Sequence, residues 1–258
     1  VFSQPEIASV GITEDHAIEA SVSKVVGSEA LAYCADEGVQ IFGGSGFCEE
    51  YPAAGVYRDE RINRIFEGTN EINRLIISGT VLKKAILEEL PIRDALILRS
   101  ENMFDSNSFD DEVSKEADVI EFCKSTGLFV LDNLINIYGQ DFKNKQWLIE
   151  PFADIVCSIS IMHNCFLRYN QLEPGNHKKN TLPVLKLSVS QHFNKLISRV
   201  KSINSHICNH MSFNSDSEKY DFCNLTNSKE LNYLPNEIDL KKEIVEEFYK
   251  QEKYYLNI

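Results

Sequence analysis

The residue best placed to do chemistry in this sequence is Glu67, a carboxylate two positions before Thr69. Thr69 is a favoured N-cap residue. Apolar side chains follow it at helical spacing, namely Ile72, Leu75 and Ile76. A helix beginning there would direct its free amides and the positive end of its dipole toward Glu67. The carboxylate could therefore act as a general base, or it could simply be favoured at a helix start by the dipole.

A glycine-rich turn, GGSGF at 43–47, lies upstream of Glu67 and would let backbone approach a ligand closely. It lacks the strand and helix context of a dinucleotide-binding fingerprint. A helical pattern begins at Thr13 or Glu14 and runs to about Phe42. The glycines therefore also suit a helix C-cap followed by a turn, and the motif alone does not choose between the two interpretations.

The remainder of the chain predicts further helices and no strand. The helix after Thr69 is expected to continue to about Leu90, just before a proline. An acidic, non-periodic stretch predicts a linker at 98–111. Later helical patterns cover about 112–138, 146–171, 183–211 and 237–252, with loops at Lys178–Lys179 and 212–236. The expected fold class is all-α, a partial helical core followed by an appended helical bundle.

The composition indicates a globular chain and excludes some partners. It is 43% hydrophobic and 25% charged, with a net charge of −13. Nucleic acid is not expected as a partner, because phosphate binding needs clustered Lys and Arg. The chain has no apolar run of about 18 residues, so no transmembrane segment is expected.

Neither a disulfide framework nor a metal site is predicted. The seven cysteines include no CxxC pair, which favours free thiols in a reducing compartment. His206 and His210 stand four positions apart, as two ligands on one helix face would. No third ligand is evident near them, so we expect no metal.

Three linked motifs resemble the C-terminal part of an acyl-CoA dehydrogenase. They are QIFGGSGF at 40–47, YRD at 57–59 and RIFEGTNEI at 64–72. The sequence is most similar to the long-chain and very-long-chain branch of that family, which has an extra helical domain after the catalytic one. The resemblance implies a partial C-terminal helical domain at 14–97 and the extra helical domain at 112–258, with 1–13 as an atypical N-terminal segment.

The resemblance also implies a role for Glu67. In that family the glutamate of the Glu-Gly-Thr motif removes the α-proton of a fatty acyl-CoA, in a dry pocket, while the β-hydride passes to FAD and a trans-2-enoyl-CoA forms. Gly68 would leave room for the thioester. Arg58 and Asp59 are expected to form a structural ion pair.

Contacts with FAD are implied at two places. The resemblance assigns contacts with the adenosine-diphosphate part of a neighbouring subunit's FAD to five residues, Gln40, Ile41, Phe42, Gly43 and Gly44. Thr69 and Glu71 would contact the flavin side of the same subunit's cofactor. The implied partners are an acyl-CoA substrate, an electron-transfer flavoprotein as electron acceptor, and a second copy in a homodimer.

The family's N-terminal helical domain and middle β-domain are not recognisable in these 258 residues. The isolated chain is therefore expected to bind FAD poorly and to turn over little. The implied compartment is the cytoplasm in a bacterium or the mitochondrial matrix in a eukaryote.

Two other functions are consistent with parts of the sequence. Residues 112–258 could form a non-catalytic helical module for interaction or assembly. Residues 1–13 resemble the start of the interface domain of disulfide reductases, but such an enzyme needs a redox-active cysteine pair that the spacings do not offer.

Overall fold

The computed structural model of the chain describes residues 14–90, 92, 112–210, 233 and 235–251. Within these ranges the secondary structure is α- and 3-10 helix without any strand, which confirms the expected all-α class. The segments 1–13 and 98–111, and most of 212–236, lie outside the described residues. None of the described helices has an apolar stretch long enough to cross a membrane.

The helices are α1 Glu14–Phe42, α2 Gly44–Phe47, α3 Pro52–Arg61, α4 Asn70–Ile86, α5 Ser114–Tyr138, α6 Gln146–Gln171, α7 Asn176–His210 and α8 Glu237–Gln251. The 3-10 helix Ile62–Arg64 follows α3 and precedes the stretch before α4. A second 3-10 helix, Gly139–Asn144, lies between α5 and α6. The chain divides into unit 1, residues 1–84 with 143–153, and unit 2, residues 85–142 with 154–258.

Unit 1 is built on the long helix α1, which packs against α3. Its buried apolar side chains include Val25 on α1 and Ile77 on α4, at 1% and 0% exposed. Much of the remaining interior of unit 1 is polar. The Ser78 hydroxyl of α4 donates to the carbonyl of Ile149 at 3.1 Å, which ties α4 to the first turns of α6.

Unit 2 has a larger apolar core. Its fully buried side chains include Leu131 and Leu134 on α5, Ile155 and Met162 on α6, and Leu196 and Ile203 on α7. Gly127 brings α5 close to α6, because a Cβ there would lie 3.0 Å from Ile159 Cδ1. The C-terminal helix α8 packs on α7. The Ser190 hydroxyl of α7 donates to Glu237 of α8 at 2.7 Å.

Most predicted helix bounds agree with the structure, including those of α1, α5, α6 and α8. Two short helices, α2 and α3, were not predicted. The helix after Thr69 ends at Ile86 rather than Leu90, because the backbone turns at Glu88, which has φ 58° and donates to the Ala85 carbonyl at 3.2 Å. Cys34, Cys48 and Cys165 are free thiols, as predicted, whereas the prediction is wrong for Cys208, which is in a disulfide.

The predicted start of the third late helix behind Pro183 is wrong, since α7 begins at Asn176 and contains that proline. A proline past the first turn removes one intrahelical hydrogen bond. Tertiary contacts of the first turns offset that loss. Asn180 donates to Glu247 of α8 at 2.8 Å, and Lys178 Nζ lies 4.9 Å from the Tyr169 ring centroid of α6. The prediction of a solvated loop at Lys178 is therefore also wrong.

Candidate active site

Glu67 lies in a left-handed turn between the 3-10 helix Ile62–Arg64 and α4. Its φ is 54°, and that of Gly68 is 83°. A left-handed residue other than glycine costs about 1–2 kcal/mol, and such strain is common at functional sites. Position 68 needs glycine, because its φ is positive and a Cβ would also lie 3.3 Å from Asn73 Nδ2. The backbone thus holds the candidate base in one unusual conformation.

The first turn of α4 fixes this geometry from the C-terminal side. The Thr69 hydroxyl accepts the Ile72 amide at 3.3 Å, which confirms Thr69 as the N-cap residue. The buried Asn73 side chain donates to the carbonyls of Gly68 at 2.8 Å and Thr69 at 3.1 Å. The Asn73 side chain thereby pairs the Gly68 carbonyl, and the Thr69 carbonyl also accepts the Asn73 backbone amide at 2.9 Å.

The electrostatics at the start of α4 favour negative charge. A hydrogen bond from its own amide, and another from the Thr69 hydroxyl, lower the pKa of Glu71. The pKa of Lys24 on α1 is lowered by burial, against the opposing effect of Glu71, Glu67 and Glu29. Lys24 therefore lies in the field of both carboxylates at the turn. No motif pointed to it, since Glu67 and Glu71 are more than 40 positions away from it in sequence.

The carboxylate of Glu67 is exposed, as are Gly68 and Glu71, while Thr69 is half-buried. The apolar Ile65 beside the turn is 49% exposed. The described residues of this chain therefore do not form the dry pocket that was expected around Glu67.

The five candidate FAD-binding residues upstream form the exposed C-terminal end of α1 and the turn after it. Gln40, Ile41, Phe42, Gly43 and Gly44 are all exposed, with Ile41 at 82%. Gly43 has φ 59°, and its amide donates to the Gln40 carbonyl at 3.1 Å, so the helix ends there as predicted. A Cβ at Gly43 or Gly44 would meet nothing within 4 Å, so a ligand could approach this backbone.

Gly46, by contrast, packs directly against α1. A Cβ at this position would lie 2.5 Å from the Val39 carbonyl oxygen. The turn therefore ends α1, and at Gly46 its backbone also lies in direct contact with that helix. The second feature depends on tertiary packing.

Arg58 forms its ion pair with Glu49 at 2.8 Å rather than with Asp59, so the predicted pairing is wrong. Adjacent residues on a helix point in different directions, which explains the error. Both partners are more than half exposed, and such pairs contribute about 0–1 kcal/mol.

A cavity in unit 1 has a volume of about 180 Å³. Its lining comprises Glu71, Arg74 and Leu75 of α4 with Gln146, Ile149 and Glu150 of α6. Ligand pockets usually measure about 300–1,000 Å³, so this cavity is small for a cofactor site.

In the part of the chain that the structure describes, no three His, Cys, Asp or Glu side chains come together as a metal site. His206, one of the two histidines considered as ligands, instead shares a hydrogen bond of 2.5 Å with the Tyr138 hydroxyl and stacks on its ring.

The region that contains this site is similar to a known protein family. Residues 7–82 match the family model of the acyl-CoA dehydrogenase C-terminal domain. This stretch is therefore similar to acyl-CoA dehydrogenase C-terminal domains. It contains α1 to α3, the left-handed turn at Glu67 and most of α4.

Relatives of several chain-length classes match the chain. A probable acyl-CoA dehydrogenase of Bacillus subtilis is 43% identical over 157 residues, which are 60% of this chain and 26% of the relative. The rat very long-chain specific enzyme is 52% identical over 65 residues, 25% of this chain and 10% of the relative. The human short-chain specific enzyme is 46% identical over 65 residues, 25% of this chain and 16% of the relative.

A crystal structure of an acyl-CoA dehydrogenase complexed with FAD, from Bacillus anthracis, resembles most of the chain. It superposes with a TM-score of 0.79 at 33% identity and covers 93% of this chain. The match takes up 41% of the Bacillus anthracis chain. The present chain thus spans less than half the length of the relatives it matches.

Proposed function

We propose that this chain is the C-terminal portion of an FAD-dependent acyl-CoA dehydrogenase, with Glu67 as the base that accepts the substrate α-proton. The observation that carries the proposal is the left-handed turn at Glu67 and Gly68, followed by the N-cap Thr69, inside a stretch that matches the family domain. A glutamate carboxylate is a residue type that can act as a general base.

The residues present suit FAD. Gly43 and Gly44 have open space where side chains would stand, and the exposed end of α1 from Gln40 to Phe42 adjoins them. Bound FAD would accept the β-hydride of the substrate. In this proposal Glu67 takes the α-proton, Gly68 leaves room for the thioester, and Thr69 with Glu71 faces the flavin side. The exposure of Glu67 means that further protein surface, together with substrate, must exclude water from it.

A long-chain acyl-CoA is the proposed substrate class. The similarity to the Bacillus subtilis relative extends over 157 residues, well beyond the 65 residues shared with the short-chain enzyme. The chain thus shares residues beyond the catalytic stretch with that relative, and the rat very long-chain specific enzyme is 52% identical over 65 residues against 46% for the human short-chain specific enzyme. We also propose electron-transfer flavoprotein as the acceptor, and a homodimer to which the exposed Ile41, Phe42 and Phe47 contribute. The compartment would be the cytoplasm of a bacterium or the mitochondrial matrix of a eukaryote.

Split-enzyme reconstitution tests this function. The 258-residue chain is co-expressed with the Bacillus subtilis relative truncated before its matching region, and flavin bleaching by palmitoyl-CoA is followed anaerobically at about 450 nm. Bleaching with the wild-type chain and at least about 10²-fold slower bleaching with Glu67→Gln would support Glu67 as the base, since a general base contributes about 10²–10⁴-fold. Equal bleaching with both chains would refute it. The isolated chain is expected to bind FAD weakly.

A non-catalytic helical module is the second candidate. Unit 2 has its own buried core, and α8 exposes Ile238, Val245 and Tyr249, at 78%, 50% and 73%. An assembly role would survive Glu67→Gln unchanged, whereas a dehydrogenase role would be lost. Growth on long-chain fatty acid with each variant separates the two.

A further inference from the structure

Lys24 reaches from α1 to the start of α4, where the candidate base is held. Its Nζ donates to Asn70 Oδ1 at 2.6 Å. Asn70 is the first residue of α4, three positions after Glu67, and is 3% exposed. Charge-assisted hydrogen bonds are about twice as strong as neutral ones. Lys24 therefore helps to fix the position at which α4 begins.

The Asn70 side chain is bonded on both of its polar atoms. Its Oδ1 also accepts the Ser28 hydroxyl at 3.1 Å, and its Nδ2 donates to Ser28 Oγ at 2.9 Å and to Glu29 Oε1 at 3.4 Å. Glu29 in turn pairs with the buried Arg74 of α4 at 2.7 Å. This network joins α1 to the first two turns of α4, and it anchors the C-terminal end of the Glu67 turn.

The charge of Lys24 acts on the same turn. Burial lowers the pKa of Lys24, while Glu71, Glu67 and Glu29 act to raise it. An ammonium that is partly withdrawn from water and interacts with Glu67 and Glu71 offsets the repulsion between those two carboxylates. Arg74 also lowers the pKa of Glu71, so Lys24 is one of two cations that act on this carboxylate.

We propose that Lys24 is a positioning residue for Glu67. Its bond to Asn70 keeps Glu67 and Gly68 in their left-handed conformation, and its positive charge keeps the Glu67 carboxylate at the start of α4. The inference rests on the proposed function of Glu67 as the base.

Amide hydrogen exchange in the 258-residue chain tests the anchoring. The Asn73 amide donates to the Thr69 carbonyl at 2.9 Å, and the Ile72 amide donates to the Thr69 hydroxyl at 3.3 Å. Lys24→Met should accelerate exchange at both amides by about tenfold or more, since a hydrogen bond to a charged group is lost. Lys24→Arg should restore slow exchange. The exposed Lys201 of unit 2 gives the control Lys201→Met, and equal exchange in the Lys24→Met and Lys201→Met chains would overturn the proposal.

A second measurement keeps Lys24 in place, so it does not depend on the folding of that variant. NMR titration of the Lys24 side chain should show a lower pKa in Glu67→Gln than in the wild type, because Glu67 acts to raise it. Glu173→Gln, an exposed charge change in unit 2, should leave it as in the wild type. An unchanged Lys24 pKa in Glu67→Gln would overturn the proposal.

Neither measurement needs FAD or turnover, so each gives a result that does not depend on whether the chain is a dehydrogenase. In the reconstituted enzyme, Lys24→Met should lower kcat about tenfold or more with little change in KM, and Lys24→Arg should recover most of it. If wild-type bleaching occurs and Lys24→Met leaves kcat unchanged, the positioning role fails while the proposed function stands.

Discussion

Gly46→Ala is expected to destabilise unit 1 by about 2 kcal/mol. A Cβ at position 46 would lie 2.5 Å from the Val39 carbonyl oxygen and 2.8 Å from Phe42 Cβ. Rotation of a side chain relieves neither contact, because both atoms are fixed by the backbone of α1. The short helix α2 must then shift away from α1, and overpacking of this kind costs about 1–3 kcal/mol.

Gly44→Ala is the matched control, two positions away in the same short helix. Its Cβ would meet nothing within 4 Å, and Gly44 does not have a positive φ. Alanine restricts the unfolded chain more than glycine does, so this variant should be stabilised by about 0.5 kcal/mol. The two variants make the same chemical change and should differ in stability by about 2.5 kcal/mol.

Urea unfolding measures this difference. Trp147 is the sole tryptophan, and it lies in the part of unit 1 at 143–153, so its fluorescence reports on that unit. With a slope of about 2 kcal/mol per M, the two midpoints should be about 1 M apart. Midpoints that agree within about 0.2 M would refute the argument that position 46 is a close backbone contact.

Three further predictions concern unit 2. Arg199 donates to the 2% exposed Asp154 through two nitrogens, at 2.9 and 2.8 Å, so Arg199→Met should cost about 3 kcal/mol in urea unfolding. Lys195 Nζ lies 4.0 Å from the same carboxylate, so Lys195→Met should cost under about 1 kcal/mol. Equal losses of stability in the two variants would contradict this ranking. Burial raises the pKa of Glu116 above 4.5 in the folded state. As pH rises, the unfolded state therefore loses this proton first, and the free energy of unfolding should fall between pH 4.5 and the folded-state pKa. Glu116→Gln should remove that decline. If the unfolding midpoint of the variant still falls over this pH range, the assignment to Glu116 is refuted. Tyr233→Phe removes a hydrogen bond that lowers the pKa of Glu116, so carboxyl NMR should show a higher pKa; no change would contradict the contact.

Much of the fold follows from local sequence chemistry. Gly43 and Gly139 end α1 and α5 with positive φ, as a glycine after a helix predicts. Thr69 caps α4 through its hydroxyl. These features were predictable because they depend on residues within one helical turn of each other.

Features that depend on distant residues were not predictable. The start of α7 ahead of Pro183 depends on contacts of its first turns with α6 and α8. Arg58 pairs with Glu49, nine positions away, rather than with the adjacent Asp59 as predicted. The exposure of Glu67 could not be derived from its motif, since the covering of a side chain depends on residues distant in sequence.

By itself, the sequence determined the all-α class, most helix ends and the residues of the Glu67 motif, because periodicity, caps and glycines act over a few positions. Only the tertiary structure decided that Glu67 takes a left-handed conformation and that Lys24, 46 positions before Asn70, anchors the helix behind it. The physical reason is that such an anchor needs two helices packed together. That packing depends on the burial of whole helix faces rather than on any short pattern.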